Sequence, residues 1–216
     1  MKQSLWQATW AFGCGMWALM TVGCAGTGEV RYVDLHSKPP VAQPGDMDSV
    51  RIAIEPFEDR RPEKGRVGMR SHLWGGVTYY NVAGEQPGHV IAQALADRLK
   101  ARGWHDRAWN VRVIPAGSAT DADIVITGQV QQFSANAKSR VFSTAITTKS
   151  KLTIQARNLS DKSATTRSVE GAQSRTVFWF DEDDDLQELL AATLADAIDR
   201  LIADTTIEQR SLRPVQ

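Results

Sequence analysis

The sequence predicts an α+β domain of two layers: a mixed, mostly antiparallel sheet with two helices packed on one face. Three observations carry that expectation. Two segments, 89–102 and 184–204, place apolar residues at helical spacing. Between them, residues 122–179 read as three successive strands with no helix. The resulting order is strand, helix, strand, three-strand meander, helix, which buries every apolar face if both helices share one side of the sheet.

The predicted domain opens with Val50-Arg51-Ile52-Ala53-Ile54, a strand stopped by Pro56. A polar loop over 55–70 follows. Thr78-Tyr79-Tyr80-Asn81-Val82 then has strand composition, and the glycines around it suggest a hairpin. In 89–102, Ile91, Ala94, Leu95 and Leu99 lie on one helical face, with Gly103 as the stop. His89 falls in the first turn of this helix.

Val111 to Ile114 is the next strand, ended by Pro115, and 122–130 is the strongest strand in the chain. In 141–157, Leu152, Ile154 and Ala156 alternate with Thr153, Gln155 and Arg157, so the first set faces the core. Residues 158–162 make a turn, and 164–179 returns. The last helix carries the stripe Leu186, Leu189, Leu190, Leu194, Ala197, Leu201 and Ile202. Asp181 to Asp185 precede it, where carboxylates cap backbone N–H groups and complement the helix dipole. A calcium loop is the competing reading of this acidic run, but the glycine of an EF-hand-type loop is missing.

The amino terminus gives an address. Lys2 is the only charge before Glu29, and the centre of the run, Trp10 to Met20, is short and apolar. A basic start, a brief apolar stretch and a small-residue exit form a secretory signal. The exit Thr21-Val22-Gly23-Cys24-Ala25 resembles a bacterial lipobox, with Cys24 as the lipidated first residue of the mature chain. Two readings compete: an uncleaved transmembrane anchor, since about 20 residues span a bilayer, and cleavage without lipidation. The glycines at 13, 15 and 23 weaken the anchor. Cleavage before Cys24 removes Cys14, so no disulfide remains to the folded part. The expected organisation is a signal peptide over 1–23, a lipidated cysteine and flexible linker over 24–48, a periplasmic domain over 49–207 and a tail over 208–216. Residues 32–35 have the composition of a short edge strand.

Composition limits the partners. Lys plus Arg and Asp plus Glu each count 25, and losing Lys2 leaves the chain within one charge of neutral. That balance gives no electrostatic bias toward nucleic acid, so membrane attachment is expected through acyl chains, palmitate among them.

No pattern gathers catalytic groups. His36, His72, His89 and His105 never occur at zinc-ligand spacing, and no serine sits in a motif with a base. The expectation is a protein with no cofactor and no enzymatic activity, acting on an envelope protein by binding. A narrower alternative is an accessory subunit of an envelope transporter or cell-wall synthase. A different class, a hydrolase of an envelope polymer, would need a cleft with convergent acid, base or nucleophile. The proposed contacts lie between Arg60 and Tyr80: Arg60, Arg61, Trp74, Tyr79 and Tyr80, arginines and aromatics of the kind that anchor interfaces. The competing reading packs Trp74, Tyr79 and Tyr80 as a hairpin onto the core.

The stretch TAITTKSKLTIQARN, then Val169-Glu170-Gly171-Ala172 and the tail Ile202-Ala203-Asp204-Thr205-Thr206-Ile207 resemble the YajG-type bacterial lipoproteins over roughly 88–207. The resemblance implies a lipid-anchored protein of the outer membrane with its domain facing the periplasm and no established activity. It also implies an architecture similar to other envelope lipoproteins, including activators of cell-wall synthases and curli-export components. The chain departs from the enterobacterial pattern at 55–87, which is richer in charge and aromatics.

The anchor is testable on its own. Cys24→Ser is expected to leave the precursor unprocessed or to release the domain from the membrane; fractionation and gel migration identical to wild type would reject lipidation.

Overall fold

One strand organises the molecule. In a computed structural model describing residues 28–35, 50–83, 86–102, 109–118, 121–181 and 184–215, β7 (Ile124–Arg140) runs 17 residues through the middle of a nine-stranded mixed sheet. Along one edge it pairs antiparallel with β8 (Ser143–Asn158) over its whole length. That edge is full, so its other neighbours share the opposite edge. These are β2 (Arg51–Ile54), β3 (Glu58–Asp59) and β4 (Gly68–Ser71), each parallel to β7 and met in chain order along it.

The remaining strands extend this frame. β9 (Ala164–Val177) pairs antiparallel with β8, and β6 (Asn110–Val113) pairs parallel with β2. β5 (Val77–Val82) returns antiparallel to β4, and β1 (Glu29–Val33) lies parallel to β5. By length the antiparallel pairs dominate, as the sequence predicts. The 24–48 linker contains a sheet strand, and its span from 36 to 49 lies outside the described residues. The tail forms a hairpin, β10 (Thr205–Glu208) with β11 (Ser211–Pro214), whose Ile207 and Leu212 are buried.

The alternation along β7 explains how one strand serves two apolar runs. Ile124, Ile126 and Val130 point to the helix side at even positions, and Phe133, Ala135 and Ala137 at odd ones. A bulge between Val130 and Gln132 makes the switch. One inserted residue flips the faces of everything beyond it. On β8 the even positions from Thr144 to Asn158 are buried without interruption.

The two helices among the described residues cover that face. α1 (Pro87–Arg102) begins with proline in its first turn, where a missing N–H costs nothing. α2 (Asp184–Ala203) buries Leu186, Leu189, Leu190, Leu194, Ala197, Ile198 and Leu201. The carboxylates before it cap it reciprocally. Asp184 N–H donates to Asp181 Oδ1 at 3.3 Å, and Asp181 N–H donates to Asp185 Oδ2 at 3.0 Å.

Between α2 and the strands lies a narrow polar seam. Thr193 Oγ1 donates to Leu189 O at 2.8 Å and is hydrogen-bonded to Thr148 Oγ1, while Ser150 Oγ reaches Thr193 O at 3.4 Å. Gly171 makes this approach feasible: a Cβ there would lie 2.3 Å from Thr193 O.

Because Leu194 is buried against the sheet, Leu194→Ala is expected to cost about 2–5 kcal/mol. A melting midpoint within a degree of wild type would show that α2 is not part of the core.

A groove on the open face of the sheet

The face opposite the helices carries the odd positions of β8 and the outward residues of β7. Opposed residues in the pairing share a face, so Asn136, Met69 and Tyr79 line up across β7, β4 and β5 on the open side. Beside them the chain from 61 to 66 rises as a wall. Together they enclose a groove of ≈ 720 Å³, lined also by Gln131, Gln132, Ser134 and Lys151.

Arg61 builds the wall from inside. Its side chain is buried, and its guanidinium is fully used. Nε and Nη2 donate to the two oxygens of Asp59 at 2.9 and 2.8 Å. Nη1 donates to Arg66 O at 2.7 Å and to Phe133 O at 3.0 Å, and Nη2 donates also to Lys64 O at 3.1 Å. A planar five-donor fork is suited to closing a loop on itself. Burial tends to raise the Asp59 pKa, but the hydrogen bonds and charge of Arg61 outweigh it and hold the carboxyl below its usual range.

The groove lining is rich in amides. Gln131 Nε2 donates to Thr153 Oγ1 at 3.0 Å, and Lys151 pairs with Glu170 at 2.6 Å. The guanidinium of Arg66 lies 3.7 Å from the centre of the Tyr79 ring, a cation–π contact. Amide side chains donate and accept at once, so the lining suits a ligand that does both, such as an extended peptide.

The expected contacts separate into four places. Arg61 and Tyr80 are interior, Tyr80 fully so, and neither offers a surface. Tyr79 borders the groove. Arg60 is exposed, paired with Glu58 at 2.8 Å, and its N–H donates to Val130 O. Trp74 lies beyond the end of β4, past the level of Lys138. Eight positions of β7 separate the two levels, about 26 Å along a strand, so Arg60 and Trp74 do not form one patch. The groove's amides give no sign of themselves in the sequence because 131–138 carries no strong apolar signal. Cys24 lies outside the described residues. Among those described, no cluster of His, Cys, Asp and Glu has the arrangement to hold a metal, and no helix is long and apolar enough to cross a membrane.

Comparisons with known proteins find no matching family model and no matching curated protein. Solved structures of similar shape include a Xanthomonas campestris protein of the family model DUF330, 13% identical with a TM-score of 0.42, covering 81% of this chain and 90% of that one. A neuraminyllactose-binding hemagglutinin homolog from Helicobacter pylori is 7% identical with a TM-score of 0.40, covering 83% and 94%. A lipoprotein from Neisseria meningitidis is 11% identical with a TM-score of 0.33, covering 71% and 98%.

The Asp59–Arg61 pair predicts a stability effect with a pH signature. Arg61→Ala leaves a partly buried carboxylate unpaired and is expected to cost about 2–3 kcal/mol. Because the folded pKa of Asp59 is depressed, its contribution is present above the unfolded aspartate range and lost as pH falls through the folded value. Asp59→Asn is therefore expected to destabilise at neutral pH, with the gap to wild type closing below about pH 4. Denaturant midpoints measured across that range check both.

Proposed function

We propose that this chain is a lipid-anchored envelope protein, of YajG type, that works by binding a polar segment of another envelope protein in the groove between β4, β7 and the 61–66 wall. The observation that carries the binding reading is the lining: three amides, Gln131, Gln132 and Asn136, beside an arginine-capped tyrosine, held open by a buried arginine. A recognition surface needs such fixed donors and acceptors, and the Arg61 network holds the wall in place before any ligand arrives. The anchor rests on Gly23-Cys24-Ala25 and the neutral run before it. Ala25 and Gly26 stand where an aspartate favours inner-membrane retention in the enteric lipoproteins the chain resembles, which supports the outer membrane, with the domain in the periplasm. An accessory subunit of an envelope transporter or cell-wall synthase is the narrower form of the same proposal.

Gln132 and Asn136 are exposed, so Gln132→Glu with Asn136→Glu is expected to leave the melting midpoint near wild type. Recovery of the wild-type set of cross-linked envelope partners is expected to fall about tenfold, equivalent to about 1.4 kcal/mol. Undiminished recovery by a well-folded double variant would exclude the groove as the binding site.

A further inference from the structure

Four large apolar side chains stand almost fully in solvent at one end of the sheet: Trp74 (90%), Phe142 (86%), Phe178 (87%) and Trp179 (90%). They come from three separate connections, and the register brings those connections level. Ser71 pairs with Lys138 at the end of β4, Arg140 with Ser143 across the β7–β8 turn, and Thr144 with Val177 at the end of β9. With strands about 4.8 Å apart, the three connections lie within about 20 Å across one tip.

Folding does not explain this arrangement. Phe142 adopts φ +68° in the two-residue β7–β8 turn, a region in which a bulky residue is an outlier. A glycine or asparagine there would relieve the backbone and remove the exposed ring. Trp74 precedes Gly75 and Gly76, both at positive φ, which turn the chain back and leave the indole outside.

The same tip receives the amino terminus. β1 is parallel to β5 with Glu29 opposite Thr78, and Gly28 N–H donates to Val77 O at 2.9 Å. Cys24 is four residues earlier, a reach of at most about 14 Å. An acyl chain on Cys24 would hold this end, and not the α1–α2 face or the opposite end, against the bilayer.

We propose that the aromatic tip is a membrane-inserting surface: Trp74, Phe142, Phe178 and Trp179 enter the lipid interface beside the acylated Cys24 and fix the orientation of the domain. The inference rests on the lipoprotein reading above. Tryptophan favours the headgroup boundary because its ring is apolar and its N–H is polar. A lipid anchor also becomes firmer with a second membrane contact. Lys138, Arg140 and Arg175, the last paired with Asp185, are balanced by Asp181, Asp184 and Asp185 around the tip, so the contact is apolar and does not require anionic lipid. In this orientation the strands stand on end, and the groove faces sideways, clear of the bilayer.

The test uses the full chain purified from membranes after its own processing and reconstituted in phosphatidylcholine vesicles, with and without brominated acyl chains. Fluorescence of wild type minus that of Trp74→Phe/Trp179→Phe isolates the two exposed indoles from the others. Their emission is expected to fall by about half or more in brominated vesicles and to resist aqueous iodide. Iodide quenching with no effect of bromine would overturn the proposal. Flotation with the vesicles and the mass of Cys24 are read in the same samples. An acylated, floating protein with iodide-accessible indoles refutes the tip alone, whereas an unmodified Cys24 refutes the anchor and the tip together.

Discussion

The pairing of β7 with β8 sets the position of everything else in this domain. Sixteen residue pairs hold the two strands in one register, broken once at the bulge. β8 in turn fixes β9, and the full edge it occupies leaves only the other side of β7 for the chain between 51 and 71. That stretch takes three short steps along β7, turning outward between them. The first excursion carries Phe57 under α1; the second becomes the groove wall. Both exist because the edge is long and the steps are short.

The bulge has a second role. By shifting the inward set from even to odd positions, it lets Gln131 and Gln132 both stay exposed while Val130 and Phe133 on either side are buried. An unbroken alternation would send one of the glutamines into the core. The amide-lined floor of the groove and the apolar underside of the sheet are thus produced by the same irregularity. The buried guanidinium of Arg61 meets the carbonyl of Phe133 just past that point, so wall and floor are joined where the register changes.

The helices, the β7 start and the inward Leu152, Ile154 and Ala156 of β8 could be read from apolar spacing, whereas the inward Thr144, Thr148, Ser150 and Asn158 of β8 are polar and give no such signal. The second half of β7 could not: the bulge breaks the period, and its inward residues after Phe133 are alanines, which give a weak signal. The charged stretch 55–70 reads as a loop because β3 and β4 are each too short for alternation to show. For the site, Thr78 to Val82 carry a further signal. Strand alternation alone places Tyr79 and Tyr80 on opposite faces, so both could not be surface contacts. The sequence predicts Phe142, Phe178 and Trp179 inside strands. At those positions the structure has turns, and an aromatic pair at the exit of a polar strand was the available sign.

The parallel pairing of β1 with β5 has a mechanical consequence. A pull on the chain ahead of Gly28 acts along the β1 axis, from the end at which the strand enters the sheet. The inter-strand hydrogen bonds then carry the load together, in shear, whereas an antiparallel edge strand entered from its far end would open one bond at a time. All five registered pairs, Glu29 with Thr78 through Val33 with Val82, resist as a unit, and the buried Val33 adds its packing at the far end. A load applied to the chain ahead of Gly28 is therefore shared by the whole strand and not taken bond by bond.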